Sequence, residues 1–572
     1  MLRKVLCFAT ILMVLPTLLS AQATRTIVDA DIPVGAQVTF HSDTTYVLSG
    51  LVFVDSLAVL TIEPGTVIKA EDGQDINASG LVVTRYGKIF AEGTADRPII
   101  FTSINDDLNG SLISTDPVTG ALVPQRGEWA GVVLLGRAST NNQTPDGLKQ
   151  VEGVGSILPA GDRRGLYGGT EDEHSSGVFR YVSIRHTGVN VGDQSGNEIQ
   201  GLTLGGVGSG TTIEYVESFG SADDGFEFFG GTVNTRNLVS AFNEDDSYDY
   251  DEGFRGKGQF WFAIQAPDKG GRVAEQDGAT GDEFYAPYAI PQFSNMTYIG
   301  AGVGALMEGD GSQMLIFRDN AGGKYYNSIF TDYDAAAGGA GITVEDIDNT
   351  GSKTEDSRKR LEAGDLVLSN NVWYDFGDGN DLASIAPQDF VQAHLSANNN
   401  SIVDPQLRGI SREPNNQLDP RPAAGSPALS GAAAVADDWF VQTSYKGAFS
   451  AGNNWLQGWT ALSQLGYTPD VVSSVEEEQL PGAVPTAFEL SQNYPNPFNP
   501  STNIQYSIAK PGHVKLIVYN QIGQQVATLI DGVRQAGQYT VTWQAESVAS
   551  GLYFYRLQAN GQTTTRRMLL VR

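Results

Sequence analysis

The sequence predicts an all-β chain: a parallel β-helix followed by a small immunoglobulin-like β-sandwich. Three observations predict it. Short β-rich runs, parted by Gly or Pro turn signals, fill residues 46–102. A motif opening on Tyr or Asn, continuing through a few apolar or β-branched residues and closing on Gly, Asp or Asn recurs through the middle. From about residue 488 the pattern changes to alternating strands joined by turns. Composition agrees: Gly supplies 67 of 572 residues and charged residues only 18%, which favours tight turns and strands over charged helices.

The first element is a leader. Arg3 and Lys4 precede the apolar run Val5–Leu19, and Ala21-Gln22-Ala23 is an A-x-A cleavage signature, so residues 1–23 read as a secretory signal peptide. Its removal takes away Cys7, the single cysteine, and leaves a mature chain without thiol or disulfide. Such an extracellular chain depends on a large core or on bound ions. The formal net charge of −30 speaks against nucleic acid as a partner and for cations. No later run reaches the apolar length of a membrane span.

Residues 24–470 form the predicted solenoid. Leu60-Thr61-Ile62, Leu81-Val82-Val83 and Ile99-Ile100-Phe101 recur about every 20 residues, a solenoid period. The middle motif leads with Tyr181, Tyr215, Asn237, Asn295, Asn327 and Asn371, and Tyr215 to Asn237 is a step of 22. Asparagine suits the bend of a stacked rung, since its amide bonds the rungs above and below and tolerates left-handed backbone. Residues 268–290 and 334–362 read as long polar insertions. A β-sandwich of similar strands is the alternative; the motifs step along the chain and lack hairpin-type Asn-Gly turns, which favours the solenoid. Residues 437–469 read as a cap for the open end: Trp455, Trp459, Leu462 and Leu465 fall at helical spacing after Asn453-Asn454, an N-cap signal.

Residues 471–487 are acidic and turn-rich and read as a linker. In residues 488–572 about seven short strands follow, with Asn560-Gly561 as a two-residue hairpin turn. The segment LSQNYPNPFNPST opens this domain; its prolines bar it from a sheet interior, so it is expected as an edge piece with Tyr494 and Phe498 packed on the sandwich.

Residues 488–572 resemble the type A C-terminal sorting domain of proteins exported by the type IX secretion system. LSQNYPNPFNPST, KLIVYNQIGQQVATLIDG, SGLYFYRL and the terminal RRMLLVR carry the likeness. The resemblance implies a Bacteroidota-like bacterium, the type IX secretion machinery as partner, and a surface-bound or released product. Domains of this kind are commonly cleaved after export, and the sequence leaves open whether this one is cleaved or retained. Residues 24–470 resemble secreted bacterial proteins of right-handed parallel β-helix character, through TIEPGTVIKA, AEGTADRPIIFTS, GEWAGVVLLG and the run 198–234. That resemblance carries fold and location but no reaction.

The densest polar stretch is 221–258, with nine acids: Asp223, Asp224, Glu227, Glu244, Asp245, Asp246, Asp249, Asp251 and Glu252. Asp223-Asp224 and Asp245-Asp246 are 22 apart, one rung, so the two pairs stack on one edge. Carboxylates about 5 Å apart repel unless bridged, and Ca²⁺ is the oxygen-seeking ion that relieves this. The expected calcium ligands are Asp223, Asp224, Asp245, Asp246, Asp249 and Asp251; the bland alternative is a solvated acidic edge. The expected role is adhesion, glycan binding or envelope structure on the cell surface, with an extracellular glycan or surface polysaccharide as partner. The other reading is a calcium-dependent polysaccharide lyase or glycoside hydrolase, with Arg236, Arg255 or Lys257 as base. The five histidines show no zinc spacing, and the Gly-rich 201–212 run lacks GK[ST] and reads as turn glycine.

Overall fold

The computed structural model describes residues 23–571 apart from 192–197, 280, 282, 307–310, 335–338, 348–354, 470–474, 481–484, 486, 522–524 and 546–549. The leader read at residues 1–23 therefore lies, but for Ala23, outside the described residues. The solenoid is built from three-strand rungs. Val59–Ile62, Val67–Ala70 and Gly80–Val83 pair in parallel with Lys88–Glu92, Ile99–Ser103 and Val132–Leu135 of the next rung. Stacking makes three faces. The first holds nine strands, among them Leu202–Gly205, Phe226–Phe229, Tyr248–Asp251, Ala274–Asp277 and Gln313–Arg318. Its inward column runs Val52, Leu81, Val132, Leu202, Phe226, Tyr248, Ala274, Leu315 and Ile342, all in one buried core. Fully burying each large apolar side chain stabilises the stack by about 1.5–3 kcal/mol, which no rung alone achieves.

From Tyr181 onward the second and third faces meet at a single left-handed residue in each rung: Tyr181, Tyr215, Asn237, Phe260, Asn295, Asn327 and Asn370 all have φ between 49° and 61°. Five of the six lead residues read from the sequence are these bends. For the sixth, the bend is Asn370 rather than Asn371, whose side chain instead bonds Ser328 N and Tyr325 O inside the stack. Phe260 escaped notice because it is neither Tyr nor Asn. A left-handed non-glycine costs roughly 1–2 kcal/mol. The tyrosines offset it by stacking, with Tyr181 and Tyr215 rings 4.4 Å apart. The asparagines offset it by hydrogen bonds, as in Asn370 Nδ2 to Asn327 Oδ1 at 2.7 Å.

Several expectations are corrected. The insertions read at 268–290 and 334–362 contain rung strands, Ala274–Asp277 and Ala340–Val344, and the helix Ser357–Ala363. The piece at 437–469 does not lid the open end. That end is closed by Leu382–Ile385 and Asp389–Ala397, whose Ile385, Val391 and Leu395 enter the core. Residues 431–467 form a strap along the bend column instead. Asn370 and Asn327 donate to Gly431 O and Ala433 O, Asn295 to Tyr445 O and Gly447 O, while Trp455 and Trp459 meet Tyr215 and Tyr181 edge-on. Its one helix, Ala461–Gln464, is capped by Thr460 rather than Asn453-Asn454, and buried Glu217 accepts Ala461 N at 2.6 Å. The strap belongs on the flank because its aromatics match an apolar patch there, Phe219, Val239, Phe262 and Ile299.

The C-terminal domain is a sandwich of two four-stranded antiparallel sheets around Ile504, Val514, Leu516, Trp543, Tyr555 and Met568. Val475–Leu480, read as linker, pairs with Gly537–Gln544 as an edge strand. Asn560 and Gly561 are both left-handed, as their hairpin turn requires. The proline-rich segment is an edge piece: Phe498 is buried against Trp543 and bridges to Leu570. Tyr494 departs from expectation, with 80% of its surface exposed, because Asn493 and Asn496 take the bonds that hold the segment, to Thr502 and Leu569 N.

Candidate functional site

On the first face every second residue points outward, and those residues form a register column: Phe53, Val82, Val133, Thr203, Glu227, Asp249, Glu275, Ile316, Thr343. It is apolar for its first three positions and carboxylate in the fifth to seventh. The apolar part is sealed by the 136–176 insertion, whose Val151, Val154 and Tyr167 pack on Val82, Val133 and Leu135. The carboxylate part begins where that cover ends. There the half-buried Lys149 pairs with buried Glu252, whose other oxygen accepts Tyr167 OH at 2.7 Å.

The turns entering these strands bring further acids to the same edge. Oxygens of Asp223, Asp224 and Asp245 lie within 4.8 Å of one another, and so do oxygens of Asp224, Glu227 and Asp249. The two rungs are tied by Asp246 N donating to Asp224 Oδ1 at 2.9 Å. Glu227 is only 6% exposed, and its Oε2 and Asp249 Oδ1 are both shut from solvent with no hydrogen-bond partner. Leaving such atoms unmade is costly, more so for charged groups. Burial, then the neighbouring carboxylates, push the acids Asp223, Asp224, Glu227, Asp246 and Asp249 above the ordinary carboxylate range. Burial lifts Asp277 to about 7 although Arg318, 2.8 Å away, pulls the other way. Oxygen donors that crowd together without enough cations match the chemistry of a hard divalent ion such as Ca²⁺, which takes oxygens at about 2.3–2.6 Å.

Of the six acids read as ligands, Asp223, Asp224, Asp245 and Asp249 come together. Asp246 does not join them: it accepts Arg272 N and faces the Arg272 guanidinium at 3.8 Å. Asp251 stands in the next column, beside Phe229, and accepts Glu252 N. Glu227 completes the inner group; its place within FEFF, among core phenylalanines, hid it. Glu275 and Asp277 were missed because their strand read as insertion. The three candidate bases lie elsewhere. Arg236 sits under the Trp439 ring at 4.2 Å, Arg255 pairs with Asp172 at 3.3 Å, and Lys257 pairs with Asp437. Arg236 and Lys257 point out of the second face, which sequence spacing alone did not reveal.

A third acid group, Glu283, Asp319 and Glu345, lies at the exit edge of the first face. No helix among the described residues is long and apolar enough to cross a membrane.

Comparison with known families agrees with this architecture. A family described as the secretion system C-terminal sorting domain matches residues 492–571, which places the protein in type IX export to the cell surface or the extracellular space. No curated protein matches the chain significantly. A family described as a pectate-lyase-like β-helix domain matches residues 33–401, well over half the chain, and to that family this protein belongs.

Proposed function

We propose that the protein is a surface-displayed binding protein for extracellular glycan, working in adhesion or envelope structure, with a divalent cation, calcium, held by the acidic part of the outward column. The observation that carries this is the pair of buried, unpartnered carboxylate oxygens on Glu227 and Asp249, on a rigid sheet beside the more open Asp223 and Asp245. Asp223, Asp224, Asp245 and Asp249 from the sequence reading, with Glu227 added, are the ligands. Asp246 and Asp251 support the neighbouring turns. Bound there, the ion screens the column and offers coordination positions to glycan oxygens. The protein's own residues supply position: the rung spacing of about 4.8 Å holds the acids in fixed rows.

A calcium-dependent polysaccharide lyase or glycoside hydrolase is the second reading. It draws on Asp277, a carboxyl held near neutrality as a general acid needs, beside Arg318. A glycan panel with and without Ca²⁺ separates the two. Retention of unchanged glycan supports binding; ultraviolet-absorbing unsaturated products or new reducing ends overturn it in favour of an enzyme. Loss of all retention and all products across the panel removes both.

A further inference from the structure

We propose that the acidic column holds two divalent cations bridged by Asp224, an inner one on Asp224, Glu227 and Asp249 and an outer one on Asp223, Asp224 and Asp245. The proposal rests on the cation reading above and deepens it from one ion to a pair with divided roles.

The geometry points to a pair because two separate triads share one residue. Asp224 belongs to both sets whose oxygens lie within 4.8 Å of one another, whereas Glu227 and Asp249 belong only to one and Asp223 and Asp245 only to the other. A single ion at about 2.4 Å from each ligand reaches oxygens no more than about 4.8 Å apart, so one ion serves one triad. Asp224 is suited to bridging. A carboxylate has about four lone-pair positions, and its Oδ1 gives one of them to Asp246 N at 2.9 Å.

Charge leads to the same count. Five carboxylates converge: Asp223, Asp224, Glu227, Asp245 and Asp249. One divalent ion neutralises two of them and two ions neutralise four. The nearby Arg272 is already engaged by Asp246 and Glu275, and Arg318 by Glu275 and Asp277. The independent sign of a ligand is Glu227 itself, a member of the inner triad that is 6% exposed and whose Oε2 is shut from solvent without any partner.

The triads differ in access. The inner one combines buried Asp224 and Glu227 with half-buried Asp249; the outer one includes exposed Asp245. The inner ion is thus a fixed part of the sheet, and the outer ion keeps coordination positions open to solvent or a glycan oxygen.

The test is titration of the full chain with calcium alone by calorimetry, and with terbium by luminescence. The parent is expected to take two ions at this column. Glu227→Gln and Asp245→Asn are each expected to leave one, and Asp224→Asn none. Asp245 is exposed, so its variant reports on folded protein even if changes at Glu227 disturb the sheet. Terbium-to-europium energy transfer in the parent, expected because bridged ions are neighbours, needs no variant. Failure has two distinct forms. If Asp224→Asn removes one ion and Asp245→Asn none, or no energy transfer is seen, the bridged pair is wrong and a single-ion site stands. If neither metal binds at the column, the cation reading itself falls.

Discussion

The two halves of the outward column on the first face share backbone, register and spacing, yet differ in what covers them. Phe53, Val82 and Val133 are sealed by the 136–176 insertion and behave as a second core. Glu227 and Asp249, continuing the same column, are buried or half-buried carboxylates, and Glu275 beyond them pairs with Arg272 and Arg318. The comparison teaches that the rung scaffold fixes only the inward side. The outward side accepts apolar packing where an insertion covers it and crowded carboxylates where that cover ends.

The harshest way to break the comparison is to carry the acidic chemistry into the apolar half. Val133→Glu buries a lone carboxylate at a site 1% exposed, and a loss of about 3–5 kcal/mol is expected in denaturant unfolding. A smaller change of the opposite sign is expected from Glu227→Gln without calcium. Removing a charge from a crowded buried site should stabilise by about 1–3 kcal/mol, and the calcium-dependent rise in Tm should shrink. If the variant is less stable in chelator, Glu227 is not a repelled carboxylate.

Acidity sharpens the comparison next. The column acids have folded pKa values above their unfolded ones, so without cations their protonated forms favour the fold. That contribution is complete below the unfolded carboxylate range near pH 4 and is lost as pH rises through the folded values, for Asp277 at about 7. Thermal melts in chelator should therefore show Tm falling between about pH 4 and 7. Saturating calcium should reduce the slope, while Val133→Glu, which adds one more buried carboxylate, should steepen it. The mildest probe is at the border of the halves. Lys149→Met removes the partially exposed partner of Glu252, and about 1 kcal/mol of destabilisation is expected, checked by denaturant midpoint.

Much of this was legible in the sequence, for physical reasons. Inward residues are apolar in most rungs, so runs such as Leu81-Val82-Val83 show the period. Bends must accept left-handed backbone, so Asn295 and Asn327 stand out. The 22-residue step placed Asp223-Asp224 over Asp245-Asp246, and the structure ties those turns together. What stayed hidden depends on distant partners. Ala274–Asp277 lacks the apolar signature because its inward Gln276 is satisfied by Tyr325 OH at 2.6 Å and its outward residues are acids. Arg272 drew Asp246 away from the ligand group, a contact no spacing rule contains. The strap meets the bends across gaps of 61 residues, from Asn370 to Gly431, up to 278, from Tyr181 to Trp459, so it read as a cap by its helical spacing alone.

That strap has a consequence for how the molecule is made. A ribosome delivers residues 431–467 only after every coil they bind, so the asparagine seam stays unlatched until synthesis nears the export tail. Completion of the rod and appearance of its shipping label thus fall close together in time, and a chain cut short before the belt lacks both.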